Sequence, residues 1–243
     1  MAWNDLGVIR LITVVLWRWG KKFQRTHVER MQSMLGRHLT VPHRIVCITD
    51  QPHDLPDGVT PAPLPRIGSW DYKCLRRIWI FSAKAATLGD RLFQLDLDMV
   101  ITGSIDAFAT RQEPFVVWKS DSCVRHGYGY NPSVMLLTAG AKADIWDTYA
   151  ENPRRVIRSA ENAGWWARTN SDQGVMSHLL QGHEFPVWIR EDGIAVYRVI
   201  AGKHGQRGAT LPDDVRLVSF HGPRDPSDPE LHVKSPWILE HWR

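Results

Sequence analysis

Asp96 and Asp98 flank Leu97 within the apolar run Leu92-Phe93-Gln94-Leu95-Asp96-Leu97-Asp98-Met99-Val100-Ile101, which Gly103 and Asp106 then break. In a strand, residues two apart share a face, so the two carboxylates are expected to converge on one point. Burying two unpaired carboxylates side by side costs desolvation and mutual repulsion. A cation resolves both. Oxygen-only ligands at a strand end suit Mg²⁺ or Mn²⁺, which keep positions open for water and phosphate oxygens. The competing reading is plainer: Asp is a common turn residue, and the pair can simply close a buried strand.

The elements that must position this pair follow from hydrophobic period and punctuation. Arg91 to Leu95 is the strand that delivers the two Asp residues. Val8 to Trp17 is β-branched and almost continuously apolar, the pattern of a strand covered on both faces. Thr26-His27-Val28-Glu29 has capping-box form and opens a helix with Val28, Met31, Leu35 and Leu39 inward. Pro42 stops it, and His43 to Thr49 returns as a second strand. This βαβ start implies a parallel sheet with right-handed crossovers.

Five prolines between Gln51 and Ser69 leave room for one short extended segment. The spacing of Leu75, Ile78, Trp79, Phe81 and Ala85 predicts a helix over Asp71 to Leu88, ended by Gly89. Short strands follow at Pro114 to Lys119 and Ser133 to Thr138, then a helix over Ala141 to Ala150. Ser171-Asp172-Gln173 opens a helix through Leu180. Ala195 to Ile200 and Arg216 to Phe220 read as late strands, the second running into His221-Gly222. The Pro-rich, aromatic tail from Pro223 to Arg243 is expected to wrap the surface.

The chain has 243 residues, 43% apolar and 23% charged, which fits one soluble α/β domain with a small appendage. The net charge of +4 suits an anionic ligand such as a nucleoside diphosphate, an anionic membrane surface or nucleic acid. No nucleic-acid-binding motif accompanies it, so nucleic acid is not expected as a partner. Arg154, Arg155 and Arg158 form one basic cluster, read as a solvated helix face. Cys47, Cys74 and Cys123 are odd in number and far apart, which argues against a disulfide framework or zinc site and for a reducing cytoplasm. The apolar run Leu11 to Trp17 is too short to span a bilayer. Twelve Trp residues are unusual; Trp17 and Trp19, after the first strand, could stack on a base, though core packing is the better reading.

Five stretches in order carry a family likeness: Tyr72-Lys73-Cys74-Leu75; Leu95-Asp96-Leu97-Asp98; Tyr130 through Leu137 with Asn131-Pro132-Ser133; Ser171-Asp172-Gln173; and Ser219-Phe220-His221-Gly222-Pro223-Arg224. Together they resemble the GT-A-fold nucleotide-sugar glycosyltransferases, most closely glycosyltransferase family 8, the glycogenin and bacterial lipopolysaccharide glycosyltransferase type. The resemblance implies an α/β, mostly parallel central sheet flanked by helices, with a small antiparallel part carrying the second half of the site. It further implies one domain over residues 1–243: a nucleotide- and metal-binding half (1–106), a sugar and acceptor half (107–222) and a C-terminal tail (223–243).

By the same resemblance Asp96, Asp98 and His221 hold Mn²⁺ or Mg²⁺. Lys73, Asn131, Gly222 and Arg224 bind the donor, a UDP-sugar by family habit, and Asp172 and Gln173 act at the sugar. The plain readings of these last two are helix caps, and of Lys73 a solvated helix residue. The sequence departs from the pattern at three places. The family His falls on Ser219, with His221 two residues on and so on the same strand face; the family Lys falls on Asp225, leaving Arg224 beside it to meet phosphate; and Pro132 replaces a small residue.

The implied activity is metal-dependent transfer of a sugar, with retention, from the nucleotide donor to a hydroxyl of a glycan or lipid-linked acceptor. A role in bacterial surface-glycan synthesis, a cytoplasmic location and at most peripheral contact with the inner membrane face go with it. An inverting mechanism would need a carboxylate base on the opposite face. The alternatives are a nucleotidyltransferase, for which Arg18-Trp19-Gly20-Lys21-Lys22 has too few glycines, and a non-catalytic nucleotide-sugar binder.

Overall fold

The computed structural model describes residues 11–67, 73–120, 129–164, 172–202 and 210–243. Strand β1 (Ile12–Arg18) is buried along its whole length, as its almost continuously apolar pattern predicts. Helix α1 (Arg25–His38) crosses over to β2 (His43–Thr49), and β3 (Val59–Pro63) is the short extended segment among the prolines. β1, β2 and β3 pair in parallel. The helix starts two residues earlier than the Thr26 capping box implies, with Gln24 as its N-cap: the backbone N–H of Gln24 donates to His27 Nδ1 at 3.2 Å.

The stretch before the Asp pair is not an α-helix. It forms two 3₁₀ segments, Lys73–Phe81 and Ala83–Leu88. The physical reason lies in the spacing of the buried residues. Leu75, Ile78 and Phe81, then Ala85 and Leu88, recur every three residues, which aligns them on one face of a three-residue-per-turn helix. Trp79, which a 3.6-residue period would bury, is only half-buried.

β4 (Arg91–Leu95) pairs with β1 in parallel, with register from Ile12↔Arg91 to Val15↔Gln94. The chain then turns through Asp96-Leu97-Asp98 and leaves the main sheet as β5 (Met99–Ile101). A short α2 (Asp106–Ala109) leads to β6 (Phe115–Trp118) and β7 (Asn131–Thr138), which pairs antiparallel with both β4 and β6. Helices α3 (Ala143–Glu151), α4 (Pro153–Asn162) and α5 (Asp172–Leu179) follow, then β8 (Val187–Trp188) at the far edge. Arg154, Arg155 and Arg158 lie exposed on α4.

β9 (Ile194–Val196) runs straight into α6 (Tyr197–Ala201), so the strand expected over Ala195 to Ile200 is cut short. Tyr197 is buried there and stacks on Phe220, with ring centroids 4.5 Å apart, which fixes the turn into the helix. β10 (Leu217–Ser219) completes a second sheet, ordered β5-β10-β9. The main sheet is ordered β3-β2-β1-β4-β7-β6-β8 and is largely parallel.

Alternation along β1 splits the core in two. Ile12, Val14 and Leu16 face α1 and the second sheet, while Val15 and Trp17 face the 3₁₀ segments and α3 to α5. The tail is more than a surface wrap: in α7 (Pro229–Lys234) and α8 (Trp237–His241), Leu231, Trp237 and Ile238 are buried in the first of these cores. Among the described residues no helix is long and apolar enough to cross a membrane.

Candidate active site

In the main sheet β2 lies on one side of β1 and β4 on the other, so the chain changes direction across the sheet between β1 and β4. Loops at the carboxyl ends of two such strands diverge and leave a crevice where ligands bind. Here those loops are Trp19 to Gln24 after β1 and the Asp96-Leu97-Asp98 turn after β4.

The pair therefore sits in a turn between two sheets, and not on a strand as its i, i+2 spacing suggests. Leu97 is fully buried between them and anchors the turn. The turn is held from both sides: Asp96 N–H donates to the Ser133 carbonyl at 3.1 Å, and Phe220 N–H donates to the Asp98 carbonyl at 2.9 Å.

Asp96 is met by Arg77, whose Nη2 donates to its Oδ1 at 2.6 Å, and by the Ser133 hydroxyl, which donates to its Oδ2 at 2.7 Å. The same Arg77 Nη2 reaches the Pro132 carbonyl at 3.2 Å, and its Nε lies 3.3 Å from Asp172 Oδ2. One buried guanidinium thus joins the turn after β4, the start of β7 and the first residue of α5. Burial opposes its charge, but Asp172 and Asp96 outweigh burial and raise its pKa. Arg77 is a residue that sequence reasoning passed over. Arg77 falls on the row beside Leu75, Ile78 and Phe81, with the buried Ile80, and nothing local in the sequence marks it as a site residue.

Asp98 is buried and pairs with Lys22 across 2.8 Å. Burial, and then the charge on Asp96, push its carboxyl up to about 6 against the lowering effect of Lys22. Asp172 is buried too, and burial raises its pKa although Arg77 opposes the shift. Asp96, Asp98 and Asp172 together carry one more negative charge than Arg77 and Lys22 offset.

The other candidates are placed as follows. Asn131 begins β7 and its side-chain oxygen accepts from Ser133 N–H at 2.9 Å, so it shapes the turn around Pro132. The Pro132 carbonyl, besides meeting Arg77, accepts from Gln94 Nε2 at 2.8 Å. Gln173 follows Asp172 on α5 and is half-buried. Lys73 opens the first 3₁₀ segment, but its side chain lies outside the described residues, as do Tyr72, Cys123, Trp165, Trp166 and Ser171. Trp17 is core, with Nε1 donating to Gln94 Oε1 at 2.8 Å. Trp19 packs edge-on against it and lies 5.5 Å from the Arg76 guanidinium.

The closing motif differs most from expectation. Ser219 ends β10 and is buried, whereas His221 lies past the strand end and is exposed, so strand alternation does not relate them. Desolvation, with the charges of Arg198 and Arg224, lowers the His221 pKa. Among the described residues no three His, Cys, Asp or Glu side chains stand together as metal ligands. Gly222 takes a positive φ of 71°, which suits glycine at the turn. Arg224 is half-buried. Asp225 turns back to helix α1, its Oδ1 3.1 Å from His27 Nε2. Because His27 Nδ1 accepts from Gln24, the Nε2–H is the donor to Asp225. The acid at the family's Lys position is therefore a structural latch.

The donor set fits a divalent cation in kind. Asp98 already holds a lysine ammonium beside Asp96, and Mg²⁺ is commonly bound by one or two carboxylates plus substrate phosphates and water without a full protein cage. A separate cleft of about 510 Å³, lined by Thr49, Asp50 and the Pro61 to Arg66 stretch, lies at the carboxyl ends of β2 and β3. It does not contain the charged cluster.

No family profile matches the chain, and no curated protein matches it in sequence. Solved structures do match in shape. The apo-form glycosyltransferase GlyE of Streptococcus pneumoniae TIGR4 superposes with a TM-score of 0.59 at 17% identity, over 95% of this chain and 60% of GlyE. A second GlyE structure gives 0.60 at 16%, over 95% and 61%. The galactosyltransferase LgtC, in complex with donor and acceptor sugar analogues, gives 0.58 at 11%, over 94% of this chain and 96% of LgtC. The fold is of the GT-A type. The chain spans about three fifths of the length of GlyE.

Proposed function

We propose that this protein is a glycosyltransferase that moves a sugar from a nucleotide-sugar donor, a UDP-sugar as first choice, to a hydroxyl of a glycan or lipid-linked acceptor. The observation that carries the reading is the Asp96-Leu97-Asp98 turn, set at the switch point of a GT-A-type sheet and tied through Arg77 to Asp172. Family-8-like retention and a place in surface-glycan synthesis are part of the same proposal.

Asp96 and Asp98 would hold Mn²⁺ or Mg²⁺. When bound, that cation supplies Lewis-acid neutralisation of the charge that grows on a departing diphosphate. The chain's own residues do the rest. Arg77 keeps the Asp96 carboxylate and the Asp172 carboxylate at fixed positions on two different elements, so the donor meets a preorganised charge pattern. Asp172, at the start of α5, would accept hydrogen bonds from sugar hydroxyls and steady positive charge on the ring, with Gln173 beside it. Asn131 and Ser133 hold the β7 turn against the Asp96 carboxylate. Gly222 leaves room above the turn that follows β10, and Arg224 and Lys73 are the further cations proposed for the donor. His221, which does not stand with Asp96 and Asp98 here, is the proposed third ligand once a cation is bound.

The test is release of nucleoside diphosphate from a panel of nucleotide sugars. Turnover of at least one UDP-sugar, falling a hundredfold or more in Asp98→Asn, is the expected result. Absence of turnover and of nucleotide binding across UDP, GDP, ADP and CDP sugars would refute it.

A further inference from the structure

Lys22 and Asp98 are unequal partners. The Lys22 side chain is 60% exposed and that of Asp98 7%. The lysine can therefore leave at little cost, whereas the carboxylate cannot be left without a cation. Its four-carbon stem makes it a movable point charge, unlike the Arg77 guanidinium, which is fixed by three oxygen partners.

The loop that presents Lys22 is itself fixed. Arg18 is buried and donates to the Phe23 carbonyl at 3.2 Å, to Gln51 Oε1 at 3.2 Å, and to the carbonyl and carboxylate of Asp54. Gly20, at φ 64°, donates its N–H to Asp50 at 3.1 Å and accepts from Gln51 Nε2 at 2.8 Å. The backbone on either side of Lys22 is thus clamped to the end of β2. The Lys22 side chain is free of these clamps, so its ammonium can leave Asp98 without moving the loop.

An ammonium and a divalent cation cannot share the Asp98 carboxylate at contact distance, because like charges repel strongly in a partly desolvated site. We propose that Lys22 is a displaceable counter-ion: it holds Asp98 until a divalent cation takes that carboxylate, then turns its ammonium to the diphosphate oxygens that arrive with the cation. The second half of this assignment builds on the nucleotide-sugar reading; the first half stands on the geometry of Lys22 and Asp98. The exchange keeps the cluster near neutrality at each stage and gives the diphosphate a cationic contact from the β1 side of the crevice.

Mn²⁺ binding without nucleotide, followed by electron paramagnetic resonance of the free ion, tests the first half on wild type, Lys22→Met and Lys22→Arg. Calorimetric titration of UDP at saturating Mn²⁺ tests the second, and melting curves in EDTA establish that each variant is folded. Lys22→Met should bind Mn²⁺ alone at least tenfold more tightly than wild type and UDP at least fivefold more weakly. Lys22→Arg should stay within about threefold of wild type for Mn²⁺. Unchanged Mn²⁺ affinity in Lys22→Met would overturn the counter-ion role. Tighter Mn²⁺ binding with unchanged UDP affinity would overturn the transfer to diphosphate. If wild type bound no nucleotide while Lys22→Met still gained Mn²⁺ affinity, the nucleotide-sugar reading and the diphosphate half would fall, and the counter-ion half would stand.

Discussion

Arg77 donates to Asp96 across 2.6 Å, and through this one contact the 3₁₀ segment before β4 fixes the carboxylate that follows it. The guanidinium also approaches Asp172 and the Pro132 carbonyl, so its removal strands two carboxylates at once. Arg77→Met is expected to lower stability by about 3 kcal/mol, the scale for breaking a buried ion pair. Arg77→Lys should recover little of it, since an ammonium cannot span three oxygen partners. Urea denaturation of both variants checks this; a loss below about 1 kcal/mol in Arg77→Met would show that the hub is not structural.

Gln94 presents a buried amide on the face of β4 that is otherwise apolar, and it links Trp17 Nε1 to the Pro132 carbonyl. In Gln94→Leu the carbonyl keeps Arg77, but the indole N–H loses its partner. The expected cost is about 2 kcal/mol, the penalty for an unsatisfied buried donor. Chemical denaturation of the variant measures it, and a neutral result would mean the indole finds another acceptor.

Asp225 and His27 give a pH-dependent signature. Burial pushes the Asp225 carboxyl up, but hydrogen bonds from His27 and Ser227 outweigh it and hold the value at about 2. A depressed acid contributes stability that is complete above its unfolded value near 3.8 and lost as pH falls through about 2. The shift corresponds to about 2 kcal/mol at most, at ~1.4 kcal/mol per unit. Asp225→Asn should therefore lose up to that amount at pH 7 and only a small part of it at pH 2, where the carboxyl is about half protonated. A difference that did not change between pH 7 and pH 2 would assign the loss to packing and not to the charge.

Much of the architecture was legible in the sequence because burial writes itself into hydrophobic period. The almost continuously apolar runs of β1 and of the second half of β2, with α1 between them, specify a parallel start, and Leu92 to Leu95 lies where the central strand is expected. The misreadings have definable causes. A three-residue spacing at Leu75, Ile78 and Phe81 resembles a 3.6-residue one over so short a span. The Asp-x-Asp spacing does not tell a strand from a turn, since both can place residues two apart together. Arg77 and Lys22 were invisible as site residues because nothing local marks which of several basic side chains will meet a carboxylate 19 or 76 positions away. In the sequence Asp225 stands as an acid where a phosphate contact is expected, and its partner His27, 198 positions distant, explains it only in three dimensions.

Transfer is expected to retain the donor's anomeric configuration. In this account Asp172 is committed to Arg77 and to the sugar, and no other carboxylate has been assigned as an inverting base. Asp172→Asn should lower kcat by tenfold or more and change UDP affinity by less than threefold, the pattern of a group that acts in the transition state. Proton NMR of the first-formed product from an α-linked donor decides the stereochemistry. A β-linked product would recast Asp172 as a general base.

Asp96 and Asp98 are proposed to form a cation site for a nucleoside diphosphate. Calorimetric titration of UDP into wild type and Asp98→Asn, each with Mn²⁺ and with EDTA, tests it most directly. Binding in wild type with Mn²⁺, at least tenfold weaker in EDTA and in Asp98→Asn, is the expected result. Equal affinity with and without the metal, or in the variant, would contradict it.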